Sequence, residues 1–499
     1  HIYYLNLEKP IINDASYQIE VKNLPKGFKS SEIINYDDKK IVTPVIKINQ
    51  AGYFSASSKK YAYLGWWAGD AGSIDFSQFK TFEIVDSDSG KTVFVGEIKP
   101  RETEFMKKNK TAEAEISGEN VFELDFSNFN EQGKFHIYVP ELGISSTFPI
   151  GKKGLENIFR TVMRGILHQR CGCELSKKIT DYPRPACHLK NYESGHLVCG
   201  VNEKYDAKGL PIVQNQPQTP NEPIKEFRGG YHDAADFDLF YGHLVAPAKI
   251  MQAFDKFPNA FKDNQLPIPE NNNGIPDILD EVEWGMKFYA DNQQEDGAIF
   301  AGRGNDEDYI SRDWKEEFKK WKEKNPEWKK YGDFPPFGNF FPCNASSNAF
   351  AATAAQFSRL IKSFDSEKAK KYLEKAEKAY QWAKNHENEG FETEGISYAN
   401  IDWEKAKFWA AAELFKTTGK DDYNKDAIEI VTRKPEDIFK SHWKKADIIP
   451  FILWSYASSN QNGTDTELKK KCSDYIIKNA DAIVANTEKW TYRMGTGRE

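Results

Sequence analysis

Apolar positions recur every second residue through the first third of the chain and at helical spacing through the rest. Short β-rich runs stand at Val45-Ile46-Lys47-Ile48-Asn49, Tyr61-Ala62-Tyr63-Leu64-Gly65-Trp66, Thr81-Phe82-Glu83-Ile84-Val85, Val93-Phe94-Val95 and Lys134-Phe135-His136-Ile137-Tyr138-Val139. Turn formers such as Asp86-Ser87-Asp88-Ser89-Gly90 separate them. Short alternating strands at this spacing predict an antiparallel sandwich over 45–150. Thr147-Phe148-Pro149-Ile150-Gly151 reads as its exit strand. Residues 1–44 carry a weaker pattern and are expected to form an arm or extra strands.

From about residue 151 the period is helical. Helices are predicted over 155–170, 239–254, 276–293, 345–361, 369–385, 405–417, 448–456 and 468–485. Pro276, after Asn271-Asn272-Asn273-Gly274-Ile275, suits a first helical turn. Residues 172–228 and 302–342 read as long polar loops. In the second of these, Trp314, Trp321 and Trp328 recur every seventh residue, one face of a short helix. That face either packs on the helical domain or lines a sugar groove. The expected architecture is an all-β sandwich followed by an all-α domain over 151–499.

Composition narrows the function. With 499 residues the chain is longer than one core usually serves. Its net charge of -7 and lack of a basic run argue against nucleic acid. Its apolar runs fall short of the ~20 residues that cross a bilayer, so no membrane is expected. Aromatics make up 14%, enough for a large aromatic core and also for flat platforms under sugar rings. The start at His1 reads as a processed or engineered terminus, with any export signal removed. Asn109-Lys110-Thr111, Asn344-Ala345-Ser346 and Asn462-Gly463-Thr464 are glycosylation sequons.

Two constellations carry chemistry. Gly229-Gly230-Tyr231-His232-Asp233-Ala234-Ala235-Asp236-Phe237-Asp238 packs two glycines, a histidine and three carboxylates into one stretch. Carboxylates three apart can polarise a water, bind a cation or cap the following helix, and for an isolated pair capping is the ordinary reading. The second constellation is a crowd of cysteines at 171, 173, 187 and 199 beside His188 and His196. Cys171, Cys187, His188 and His232 offer the two thiolates and two imidazoles of a closed tetrahedral zinc site. Cys173, Cys199 and His196 compete as ligands, and Cys173 with Cys199 could instead form a disulfide.

Five ordered motifs then carry a resemblance. Gln169-Arg170-Cys171-Gly172, Ala186-Cys187-His188, Gly229 to Asp238, Ile268-Pro269-Glu270 through Ile275-Pro276-Asp277-Ile278-Leu279-Asp280-Glu281-Val282, and Trp409-Ala410-Ala411-Ala412-Glu413-Leu414-Phe415 resemble glycoside hydrolase family 9. Asn49-Gln50-Ala51-Gly52-Tyr53 resembles the start of the immunoglobulin-like domain that some of its cellulases carry. The resemblance implies an (α/α)6 barrel and inverting hydrolysis of β-1,4-glucosidic bonds. It places the catalytic base on Asp236 and its water-holding partner on Asp233. It places a structural zinc on Cys171, Cys187, His188 and His232. In an inverting enzyme the acid stands roughly 6.5–9.5 Å from the base, leaving room for the water.

The chain departs from the family pattern in three places. Asp233-Ala234-Ala235-Asp236 replaces the usual Asp-Ala-Gly-Asp, one methyl larger. Lys405 and Ala406 stand where members often carry an Asp-Glu pair that helps hold calcium. An ammonium cannot ligate calcium, so that site is expected to be absent, although Asp402 and Glu404 are near in sequence. The family's acid glutamate is expected beyond Glu499, and the barrel is expected to lack its last helices. Glu413 lies in an alanine-rich helix whose face reads as packed, a poor setting for an acid.

The leading expectation is therefore a secreted, monomeric glycoside hydrolase acting on cellulose or related β-glucans. One alternative is an exo-acting hydrolase of short β-linked oligosaccharides, glucosaminides included, with 302–342 walling one end of the cleft. The other is a non-catalytic carbohydrate-binding protein.

Overall fold

The computed structural model describes residues 4, 7–9, 11–22, 30–102, 117–197, 204–205, 211–212, 224–232, 239–304, 323, 337–386, 403–439 and 448–495. The chain divides into two compact units, His1–Thr161 with Ala480–Glu499, and Val162–Asn479.

The first unit is built from antiparallel strands. β1 (Ala15–Glu20) and β2 (Ser31–Tyr36) form an exposed hairpin, so the weakly patterned N-terminal stretch contains strands. β3 (Ile46–Lys47), β4 (Tyr61–Leu64), β5 (Thr81–Asp86), β6 (Thr92–Pro100), β7 (Phe122–Asp125), β8 (Gly133–Val139), β9 (Gly143–Ile144) and β10 (Phe148–Ile150) make the sandwich sheet. Its order is β10-β8-β5-β6-β7-β4-β3, with β9 on β8. The long β6 pairs with β5 through Thr92–Glu97 and with β7 through Ile98–Pro100, so one strand serves both layers.

Alternation does what the sequence pattern requires. Phe82 and Ile84 of β5 and Phe135, Ile137 and Val139 of β8 point into one core. Tyr53 closes it edge-on against Phe126 at 4.9 Å and Phe148 at 5.3 Å.

Helices α1 (Lys152–Gln169) and α10 (Thr466–Lys489) carry the chain between the units. The second unit contains α2 (Val245–Lys256), α3 (Asp277–Asp291), α4 (Asn344–Ile361), α5 (Ser366–Asn385), α6 (Trp403–Thr418), α7 (Asp421–Arg433), α8 (Pro435–Phe439) and α9 (Ile449–Ala457). α4 and α6 are alanine-rich and buried on every side over most of their length, as expected of helices without a polar face. α5 buries one stripe, Tyr372, Ala376, Ala379, Tyr380 and Ala383, and leaves its lysines outside. α7 does the same through Asn424, Ala427, Ile430 and Val431. Inner apolar helices backed by outer amphipathic ones are the layering of a helical barrel. Asn344, one of the sequon asparagines, lies buried at the start of α4 and donates to the Ala383 carbonyl at 2.6 Å, so it offers no surface for a glycan.

Three readings of the sequence change. The segment predicted as one helix over 239–254 opens as strand β15 (Leu239–Phe240) and a 3-10 turn, Tyr241–Leu244, before α2 begins. α7 and α8 were not among the predicted helices. The two long loops also contain strands. β11 (Lys190–Leu197), β14 (Ile224–Glu226), β16 (Phe300–Gly304) and β17 (Phe337–Pro342) join β15 in a sheet of order β14-β11-β17-β16-β15. β11 and β17 are parallel although far apart in sequence. β12 (Lys204–Tyr205) and β13 (Pro211–Ile212) form a separate small pair. Trp314, Trp321 and Trp328 lie outside the described residues.

Candidate metal centre and active-site segment

The end of α1 runs antiparallel to the stretch before Asp233. The His232 amide donates to the Gln169 carbonyl at 2.8 Å, the Cys171 amide to Gly230 at 2.9 Å and the Gly229 amide to Cys171 at 3.1 Å. This ribbon puts Cys171 and His232 side by side. It needs the left-handed backbone of Gly229 (φ +105°), where a Cβ would meet Lys287 Cβ at 2.5 Å and the Phe288 nitrogen at 2.7 Å. α3 backs the ribbon. The Gly230 amide donates to the Trp284 carbonyl at 2.9 Å, and Trp284 Nε1 to the Cys171 carbonyl at 3.2 Å.

Arg170, next to Cys171, is fully buried and anchors this ribbon. Its Nε donates to Glu281 Oε1 at 3.1 Å and its Nη1 to Glu270 at 2.8 Å. Tyr231 donates its hydroxyl to the Glu281 carbonyl at 2.8 Å. Burial alone would lower the Arg170 pKa, but the two carboxylates more than offset it and keep the guanidinium charged. Burial raises Glu281, with the Arg170 charge acting against it.

Cys187 and His188 arrive from the loop after α1, which is closed by a bridge between Leu175 and Arg184. His188 sits at φ +50°, a conformation uncommon outside glycine. One ligand atom from each of Cys171, Cys187, His188 and His232 lies within 4.8 Å of all the others. Cys171 Sγ is 3.7 Å from His188 Nδ1, and Cys187 Sγ is 3.3 Å from His232 Nε2. Zinc bonds of about 2.3 Å to sulfur and about 2.0 Å to nitrogen set neighbouring ligands of a tetrahedron roughly 3.3–3.8 Å apart. The four side chains could hold a metal ion, and their donor set and spacing fit zinc. A hydrogen bond between the sulfurs raises the Cys171 thiol and lowers Cys187; the imidazoles of His188 and His232 lower Cys187 further.

Two arginines that sequence reasoning did not single out complete the centre. Arg303 Nη2 donates to Cys171 Sγ at 2.6 Å, and Arg184 Nη1 to Cys187 Sγ at 3.0 Å. Arg184 lies three residues before Cys187, the one positional hint. Arg303 lies 132 residues from Cys171 and gave no signal.

Asp233 and Asp236 fall outside the described residues, as do Cys199 and Asp402. The flanks of the aspartate segment are described. His232 enters it from the cluster, and Leu239 leaves it in register with Arg303 on β16. That pairing depends on Gly302 (φ +151°), where a Cβ would fall 1.8 Å from the Leu239 carbonyl oxygen. Cys173 lies buried with its sulfur 3.4 Å from the Glu174 carbonyl, outside the four-residue cluster. At the position considered for calcium, Lys405 is buried and Glu404 is bonded by Lys434 at 3.1 Å and Arg433 at 3.3 Å. Among the described residues, this donor set does not fit a calcium ion. Glu413 is buried against Arg359 at 3.0 Å.

An immunoglobulin-like sandwich followed by an (α/α)6 helical barrel domain defines a class of carbohydrate-active enzymes. Residues 156–497 match glycosyl hydrolase family 9 and residues 42–143 match the cellulase N-terminal ig-like domain, and the chain belongs to that family. It is 25% identical over 464 residues to Endoglucanase D of Acetivibrio thermocellus, covering 91% of this chain and 64% of that protein. It therefore spans less than two thirds of that relative's length. A metagenome-derived glycoside hydrolase family 9 endoglucanase shares the fold with a TM-score of 0.64 at 22% identity, over 90% of this chain and 74% of that one. A Zn-binding triple mutant of the family 9 endoglucanase J30 aligns with a TM-score of 0.60 at 20% identity, over 88% and 73%.

Proposed function

We propose that this protein hydrolyses β-1,4-glucosidic bonds of cellulose or a related β-glucan with inversion. The observation that carries this reading is the family 9 match over residues 156–497, which spans the whole Gly229–Asp238 segment. In this reading Asp236 is the general base that takes a proton from the attacking water, and Asp233 helps hold that water. Protonation of the leaving oxygen needs an acid, and Glu413, paired to Arg359, is not assigned to it.

Cys171, Cys187, His188 and His232 would hold a structural zinc. A closed four-ligand zinc supplies no nucleophile; it fixes loops. His232 sits directly before Asp233 in the sequence, so such a zinc would fix the start of the proposed catalytic segment. No calcium is proposed at Lys405.

We assign the sandwich to 45–150, the hydrolase domain to 151–499, and residues 1–44 to an arm that includes the β1–β2 hairpin. A polymeric substrate supports action outside the cell, and we propose that the protein acts there as a monomer. The test is release of reducing sugar from soluble and insoluble β-1,4-glucan, with the anomer followed by NMR. First release of the α-anomer supports the reading; a β-anomer, or no release, overturns it.

A further inference from the structure

We infer that Arg303 and Arg184 are positioning residues of the metal centre, each guanidinium holding one cysteine sulfur in its ligand orientation. The inference rests on the zinc reading above and adds the residues that make the site rigid before metal arrives.

The geometry is specific at both sulfurs. Arg303 is fully buried, lies over the Phe288 ring at 5.3 Å, and divides its donors between Cys171 Sγ at 2.6 Å and the His188 carbonyl at 3.2 Å. One guanidinium thus touches one ligand's sulfur and another ligand's backbone. Arg184 divides its donors between Cys187 Sγ at 3.0 Å, the Cys173 carbonyl at 3.1 Å and the Arg170 carbonyl at 2.6 Å. It ties the second sulfur to the backbone on both sides of Cys171.

Planar, always-charged guanidinium is suited to this task, since its donors leave in fixed directions. A buried cation needs strong acceptors for its donors, and a zinc-bound thiolate is one of them. Two thiolates and two neutral imidazoles also leave the zinc complex without net charge, so the arginines meet no like charge across it.

Arg303 has a second consequence. It stands opposite Leu239 in the β15–β16 pair, so the sulfur of Cys171 is tied to the strand that receives the chain after Asp238. His232 anchors the other end of that segment. Arg303 therefore links both ends of the proposed catalytic loop through one centre.

The test uses the full chain with Arg303→Met, Arg303→Lys and Arg184→Gln. Zinc per chain is measured, then the rate of zinc transfer to a colorimetric chelator. The thiolate-to-metal charge-transfer band is read in cobalt-substituted protein. Loss of an outer-shell partner costs about 10- to 100-fold in metal affinity, so zinc release from Arg303→Met should speed by about that factor. The cobalt band should move, and Arg303→Lys should fall between. Arg184→Gln, at a partly exposed position, should shift release and band in the same direction, and decides the matter if Arg303→Met does not fold. Release and band unchanged from wild type in the folded variants overturn the inference while leaving the zinc reading intact. Wild-type protein that holds no zinc overturns both.

Discussion

The guanidinium of Arg170 and the carboxylate of Glu281 meet at 3.1 Å with both side chains sealed from solvent. Glu270 shares the same guanidinium from a partly exposed position. Removing one partner of a buried pair leaves an uncompensated charge, at a cost of about 3–5 kcal/mol. Glu281→Gln should therefore destabilise the helical unit by that order. Glu270→Gln should cost clearly less, because solvent can reach the site it leaves. Urea unfolding of both variants checks this, and equal losses would contradict the ranking.

Metal removal should loosen, without unfolding, the ribbon that joins Gln169–Cys171 to Gly229–His232. Cys187→Ser is expected to drop zinc from near one per chain and to lower the melting temperature by several degrees, since binding energy to a structural site is folding energy. Elemental analysis and calorimetry with and without chelator measure it. Full zinc content with unchanged melting would rule out Cys187 as a ligand.

Asp236→Ala should keep the fold and zinc content while turnover falls by about 10²–10⁴, the usual contribution of a positioned base. Asp233→Ala should fall less, since it orients the water without taking its proton. Retained turnover in Asp236→Ala would move the base elsewhere.

Asp280 gives a pH signature. Burial pushes its carboxyl up to about 7; the Asn273 amide and Lys368 act against the rise, while Glu270 and Glu283 add to it. The folded protein thus keeps a proton that the unfolded chain has lost, so this group makes stability fall as pH climbs from about 4 to about 7. Asp280→Asn should be more stable than wild type at pH 8, on the order of 2 kcal/mol, with the gap narrowing towards pH 5. Chemical denaturation at the two pH values reads it. A gap that widens on acidification would reverse the sign.

Much of the site was legible because its residues sit in short ordered motifs. Cys171, Cys187, His188 and His232 were chosen over Cys173 and His196 by motif, and the folded chain brings those four together. The roles of Arg170, Glu270 and Glu281 were hidden inside the same motifs, since a buried ion triad looks like any exposed charge in one dimension. The strands at 190–197 and 337–342 were missed for a related reason. They pair across more than a hundred residues, and neither alternates strongly enough to be read alone.

The sequence by itself determined what depends on local period and local chemistry. It set a sandwich where apolar residues alternate, a packed helix where the apolar run Trp409–Ala412 leaves little polar face, and a zinc-suited donor set. Only the tertiary structure decided which distant groups meet. Arg303 reaching Cys171 and Gly302 yielding to the Leu239 carbonyl are contacts between segments that no spacing relates. They are selected by the packing that buries both partners together, and such packing exists only once the chain has folded.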